Sequence, residues 1–395
     1  MMSKYQFLES YRFKNGMTVK NRIVMAPMTT MSSFHDGQVT NDEVAYYAAR
    51  AGGPGMIITG VANVSESGKG FEGELSVTDD RFIPGLAKVA AAIKQDGTKA
   101  ILQIFHAGRM SNSSILRGKQ AVSASAIAAA RAGAEVPREL TETEILTIID
   151  EFGQATRRAI AAGFDGVELH GANTYLLQQF VSPHSNRRTD RWGGSFEKRL
   201  AFPLAVIAKV KGIIAEAAKE PFVLGYRFSP EEFETPGIRF SDTLAFVKKV
   251  KSELDYLHIS LGHVWRTPMN DQSNQLPVVT SIKEAIGELP LIGVGSLETP
   301  EEVEKVLAQG VEFAALGREL IREPKWVQKV IRHDQSSIRY KISPSDFDEL
   351  TIPRAMQHYL QTSFREVIHL STDETTESNA YLKEVAPMEG YEKKL

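Results

Sequence analysis

Cysteine is absent from the chain. That excludes disulfide staples, a thiol nucleophile, thiolate zinc sites and Cys-ligated iron–sulfur clusters. No stretch approaches the ~18 uninterrupted apolar residues of a membrane-spanning helix. Nor is there a long basic run: Lys and Arg number 46 against 49 Asp and Glu, a net charge of −3. Nucleic acid, whose phosphates demand clustered cations, is not an expected partner. The opening Met1-Met2-Ser3-Lys4-Tyr5-Gln6-Phe7-Leu8-Glu9 lacks the apolar run and small-residue cleavage site of a secretory signal. A cytoplasmic protein is therefore expected. With 395 residues, 42% of them hydrophobic, the chain can bury a large core without staples.

What is present is alternation. Short apolar runs read as strands at Ile23–Met28, Met56–Val61, Ala100–His106, Gly166–His170, Phe222–Ser229, Tyr256–Leu261, Leu291–Gly295 and Phe313–Gly317. Amphipathic helical stretches separate them. The clearest covers Glu142–Ala162, with Ile145, Ile148, Ile149, Phe152, Ala155 and Ala159 on one stripe. Thr141 and Glu144 form a capping box there, and Thr299-Pro300-Glu301-Glu302 repeats the device. Ser241-Asp242 opens another helix. Parallel neighbours need crossover helices, and eight strand–helix units close a (β/α)₈ TIM barrel. An open doubly wound sheet is the competing architecture. Phe13–Val19, with an Asn15-Gly16 turn, reads as an N-terminal hairpin that plugs the barrel bottom. The expected division is a barrel over 1–338 and a C-terminal extension over 339–395. Within the extension, a helix is expected around Pro353–Phe364, followed by a polar tail over Ser371–Ser378.

The connections are uneven. Ala107–Leu140 and Val181–Ser195 are long, and βα loops form the active face of a barrel. Period two assigns faces within strands. Leu224, Tyr226 and Phe228 suit the sheet–helix interface, so Val223, Gly225 and Arg227 point inward. An inward Arg227 near a strand end needs an anion. Gln103 lies between Ile101 and Phe105 on one face, and Glu168 shares a face with His170. Mutual neutralisation of Glu168 and Arg227 is the structural alternative to a ligand. Gly295, Ser296, Gly317 and Arg318 end the last two strands, the usual barrel phosphate site, where backbone N–H groups and a guanidinium act as donors. Glycines easing tight turns beside a solvated Arg318 would be the alternative there.

Residues His170-Gly171-Ala172-Asn173-Thr174-Tyr175-Leu176-Leu177-Gln178-Gln179-Phe180 and the following Ser182–Ser195 strongly resemble the Old Yellow Enzyme family of FMN-dependent ene-reductases. The likeness includes Asn21–Thr29, Gln103, His106–Arg109, Ala162–Gly166 and Gly317–Leu320, and covers about residues 7–333. It implies FMN at the strand C-termini. Arg227 would face the flavin N1/C2=O edge and Gln103 the pyrimidine rim. Pro27, Met28 and Thr29 would line the ring, and Gly295, Ser296, Gly317 and Arg318 would take the phosphate. His170 and Asn173 would bind a substrate carbonyl or nitro oxygen, and Tyr175 would protonate Cα. NAD(P)H would reduce FMN in the same pocket, in a ping-pong cycle with a small-molecule oxidant. A homo-oligomer is compatible with this reading. One branch of the family has Cys at the position of Thr29 with Tyr soon after, whereas Thr30, Met31, Ser32 and Ser33 follow here. An added iron–sulfur cluster or pyridine-nucleotide domain, found in other branches, is not expected.

Other readings remain at this level. The same barrel can oxidise a small amine as a flavin-dependent dehydrogenase or demethylase. A non-catalytic flavin carrier or structural barrel would need neither Tyr175 nor the paired oxygen donors. A metal-dependent aldolase or isomerase would need an inward carboxylate–histidine cluster, which the sequence does not display. His263 and Trp265 follow strand six on the expected active face. Arg187, Arg188, Asp190 and Arg191 read as pins of the long loop, and Arg354 as solvent-exposed.

Overall fold

The computed structural model describes residues 4–371. Eight strands are central: β1 (Ile23–Met25), β2 (Met56–Asn63), β3 (Lys99–Phe105), β4 (Gly166–Gly171), β5 (Val223–Phe228), β6 (Tyr256–Ile259), β7 (Leu291–Val294) and β8 (Phe313–Leu316). Each pairs in parallel with the next, and β8 pairs with β1, so the sheet closes. The expected (β/α)₈ barrel is the observed one, and the open sheet is excluded. Closure leaves no barrel edge to protect.

The two faces of each strand follow the sequence period. Leu224, Tyr226 and Phe228 join the large apolar layer between strands and helices. Val223 joins the inner layer with Val24, Ile58, Ile101, Ile292 and Phe313. The hairpin Tyr11–Arg12/Thr18–Val19 pairs antiparallel and sends Phe13, Met17 and Val19 into that inner layer. Phe13 stacks on Phe313 at 5.4 Å. The plug thus fills the barrel bottom, opposite the strand C-termini.

The longest crossover helix, α1 (Glu142–Ala161), buries Ile145, Ile148, Phe152, Ala155 and Ala159. Its capping box forms as the sequence requires. Pro300–Leu307 is capped in the same way by Thr299 and Glu302. One helix starts earlier than expected. It covers Phe240–Val250, and Asp242 caps it from inside the first turn by accepting from the Arg239 N–H at 3.0 Å.

The segment after β8 packs onto the barrel. The expected helix is Arg354–Gln361, α2, and Arg354 is exposed. Met356, Leu360, Phe364 and Ile368 share the same apolar layer as the barrel helices. Ile342 bridges to Leu370. Apart from Ser371, the polar tail lies outside the described residues. Among the described residues no helix is long and apolar enough to cross a membrane.

Candidate active site

A cavity of about 1380 Å³, open mouth included, lies at the strand C-termini. The residues expected to meet cofactor or substrate line it: Pro27, Met28, Thr29, Gln103, His170, Asn173, Tyr175, Arg227, Gly295, Ser296, Gly317 and Arg318.

The loop after β1 forms one wall. Buried Glu43 pins it, accepting from Thr30 Oγ1 at 3.0 Å and Ser33 Oγ at 2.7 Å. Burial pushes the Glu43 carboxyl up to about 7, against the pull of those two hydroxyls. Gly60 allows close approach, since a Cβ there would stand 3.0 Å from the Met28 carbonyl oxygen.

The floor is polar. Gln103 and Glu168 are direct neighbours across β3 and β4, and Arg227 lies between His170 and His258 in register. Gln103 Nε2 donates to Glu168 Oε1 at 2.7 Å, and Glu168 Oε2 lies 2.9 Å from His258 Nδ1. His258, the hydrogen from its Nδ1 and the anionic Glu168 form a contact that sequence reading missed. Its signal was available: period two puts His258 on the inward face with Tyr256. The inward carboxylate–histidine cluster that the sequence did not display therefore exists as a pair. Among the described residues no third His, Asp or Glu completes a metal site.

The donors above the floor are fixed by short-range geometry. His170 Nδ1 accepts from the Ala172 N–H at 3.3 Å, which leaves the proton on Nε2. Burial, with Arg227 nearby, holds this imidazole well below its usual range, so it is neutral. Asn173 and Thr174 both adopt left-handed backbone, φ +55° and +62°. The Asn173 N–H donates to Ser229 Oγ at 2.9 Å. Ser260 Oγ donates to Asn173 Oδ1 at 3.0 Å. The Asn173 amide nitrogen is thereby left as a donor. Tyr175 packs edge-on against His170 and Phe105, each at 4.9 Å between ring centroids. Burial and the nearby Glu74 push its phenol above the usual range, so it is protonated.

At the other side Gly295 has φ +131°, and a Cβ there would stand 2.6 Å from the Val264 nitrogen. Only glycine fits. Arg318 reaches Ser296 Oγ at 2.7 Å and the Val367 carbonyl at 3.1 Å. The extension thus finishes the site: Tyr359, Phe364 and Val367 line the cavity. No local sequence signal marks these three residues.

Several nearby residues are not part of the cavity. His106 lies outside it, accepting from the Gly108 N–H at 3.0 Å and contacting Ser67 at 3.1 Å. His263 and Trp265 do not line it either; Trp265 carries Lys305 over its ring. Arg188 pins the long loop through the Ala124 and Leu140 carbonyls and Asp190, and Arg191 pairs with Glu142.

The donor set suits a flat, partly anionic cofactor with a phosphate. One side offers an amide and a guanidinium against a planar edge. The other offers glycine backbone, a hydroxyl and a second guanidinium, the usual phosphate chemistry of a barrel.

The chain matches the model of the NADH:flavin oxidoreductase / NADH oxidase family over residues 8–336. It is 47% identical over 334 residues to an NADH:acrylate oxidoreductase of Vibrio harveyi, covering 83% of this chain but only 33% of that protein. The chain thus spans about a third of that relative's length. It is 43% identical to a probable NADH-dependent flavin oxidoreductase of Bacillus subtilis, covering 90% of this chain and 96% of that one. In structure it is similar to an old yellow enzyme homologue from Zymomonas mobilis, with TM-score 0.75, 26% identity, and 90% and 99% of the two chains covered.

Proposed function

The chain belongs to the NADH:flavin oxidoreductase / NADH oxidase family, and from that premise we propose that it is an FMN-dependent oxidoreductase, reduced by NAD(P)H, that reduces activated C=C bonds in α,β-unsaturated carbonyl or nitro compounds. The observation that carries this reading is one arrangement. Two neutral N–H donors and a protonated phenol line one cavity together with an amide and a guanidinium.

FMN, when bound, supplies a ring that takes hydride from a reduced nicotinamide and gives it to the alkene Cβ. Gln103 and Arg227 would hold the pyrimidine edge of that ring. Pro27, Met28 and Thr29 would line it, and Gly295, Ser296, Gly317 and Arg318 would hold its phosphate. Arg227 stays charged throughout, because a guanidinium does not deprotonate in proteins. It therefore favours negative charge at the edge it faces.

His170 Nε2–H and the Asn173 amide N–H₂ belong to side chains that line the same cavity. A carbonyl or nitro oxygen placed there gains negative charge as hydride arrives at Cβ. Two preorganised donors stabilise that charge, and losing one such donor typically costs about 3 kcal/mol. Because His170 is neutral, it donates without surrendering its proton. Tyr175 then delivers its phenolic proton to Cα, whose carbanion character makes it far more basic than a phenolate. The raised phenol keeps that proton available across the physiological range.

The alternative of amine oxidation fits this space less well. A protonated amine brings hydrogens, and His170 and Asn173 offer hydrogens in return. NADH, NADPH and 2-cyclohexenone provide the test. Anaerobic NAD(P)H should bleach the bound flavin and cyclohexenone should restore its colour. Tyr175→Phe should slow the second step and spare the first. Protein that holds FMN yet oxidises neither nucleotide would reject the reading.

A further inference from the structure

Beneath the cavity floor the barrel buries a carboxylate that the chemistry above does not use. Glu168 projects inward from β4 with no solvent exposure. Its two oxygens are taken by Gln103 Nε2 at 2.7 Å and His258 Nδ1 at 2.9 Å. His258 sits on β6, two strands away, and the two side chains meet across β5, where Glu168 is in register with Gly225 and His258 with Arg227. A Cβ at Gly225 would stand 2.0 Å from the Tyr256 ring. The missing side chain makes room for the Tyr256 ring inside the barrel. Burial pushes the Glu168 carboxyl up, but the charge and hydrogen bond of His258, the charge of Arg227 and the Gln103 hydrogen bond together hold it below the usual carboxylate range.

An ionised carboxylate only accepts hydrogen bonds. Gln103 must therefore turn its NH₂ toward Glu168, which leaves its carbonyl oxygen for the cavity that Gln103 lines. An acceptor beside the Arg227 donors is complementary to an –NH–C(=O)– edge, the imide edge of an isoalloxazine. The carboxylate also lies close enough to Arg227 to damp its positive field. Resting on the flavin reading, we propose that Glu168, braced by His258, is a positioning residue that fixes the Gln103 amide as an acceptor and offsets the Arg227 charge, thereby setting the reduction potential of the bound flavin. The buried charge is then part of the redox apparatus rather than a by-product of packing.

The test is spectroelectrochemistry of the FMN-loaded protein. E168Q keeps the shape, removes the charge and allows Gln103 to turn over. It should move the reduction equilibrium at least tenfold toward reduced flavin, a rise of about 30 mV for a two-electron couple. E168D, which keeps the charge, should move it less than E168Q. A shift below tenfold in E168Q, or equal shifts in both variants, overturns the proposal. If E168Q does not fold, the wild-type protein decides. FMN methylated at its imide nitrogen should bind at least tenfold more weakly than FMN, and equal binding overturns the proposal. Wild-type protein that takes up no FMN would instead sink the flavin reading itself, whereas wild type that holds FMN beside an unshifted E168Q sinks only this inference.

Discussion

Ser260 offers a test of how the proposed substrate donors are held. Its hydroxyl donates to Asn173 Oδ1 at 3.0 Å, and that bond fixes which end of the Asn173 amide faces the cavity. Asn173→Gly removes the donor. Glycine is the right replacement because φ at this position is +55°, where alanine would add strain. Loss of one donor to a developing oxyanion is worth about 3 kcal/mol, or roughly 10²-fold in rate. Ser260→Ala keeps the donor but frees it to turn. The loss is then that of an ordinary hydrogen bond, about 1 kcal/mol, or roughly 5-fold. If Ser260 acts only through Asn173, the double variant should be no slower than Asn173→Gly. The assay is the anaerobic reoxidation of reduced, FMN-loaded protein by 2-cyclohexenone in a stopped-flow instrument. Costs that multiply in the double variant would refute the reasoning, because additivity marks independent sites. So would a Ser260→Ala variant as fast as wild type.

Three further outcomes are expected. Glu43 is buried with its carboxyl raised to about 7, against 4.5 for an ordinary glutamate. Between those values the folded state holds a proton that the unfolded state has lost, so stability falls as pH rises from about 4.5 to about 7. Glu43→Gln should flatten that fall, by about 3 kcal/mol at most, in urea titrations at pH 5 and pH 8; parallel curves for the two proteins would contradict it. Gly225→Ala drives a methyl into the Tyr256 ring. It should cost about 1–3 kcal/mol or more by overpacking, read as a lowered Tm, and an unchanged Tm would show that the ring moves freely. Tyr359→Ala opens the wall supplied by the extension. It should change KM for bulky enones more than for cyclohexenone, and an equal change for both would remove Tyr359 from the substrate wall.

The sequence was most legible where periodicity and chemistry coincided. Arg227 was read as inward because Leu224, Tyr226 and Phe228 claimed the other face, and the structure agrees. Gly295 and Gly317 were read from their position at the ends of the last two strands. His170, Asn173 and Tyr175 came from a motif, and the structure brings them to one cavity. The missing pieces share a different character. The bond between Glu168 and His258 spans 90 residues and crosses the intervening strand β5, which no local window reveals. Ser260 holds Asn173 across 87 residues. Tyr359, Phe364 and Val367 belong to a stretch whose local pattern is that of any amphipathic helix and its exit turn. Their place over the cavity is decided by where Met356, Leu360 and Ile368 find apolar partners on the barrel.

Barrel closure has a consequence for the birth of this protein. The seam joins β8 to β1, which are far apart in the sequence, and Val367 holds Arg318 from farther along still. A ribosome delivers residue 23 hundreds of residues before it delivers the partners that cover it. Until then Ile23, Val24 and Met25 have one bare flank, and the pocket has three sides. Cofactor loading therefore has to wait until residues through Val367 have emerged, and a nascent chain stalled before them should be colourless.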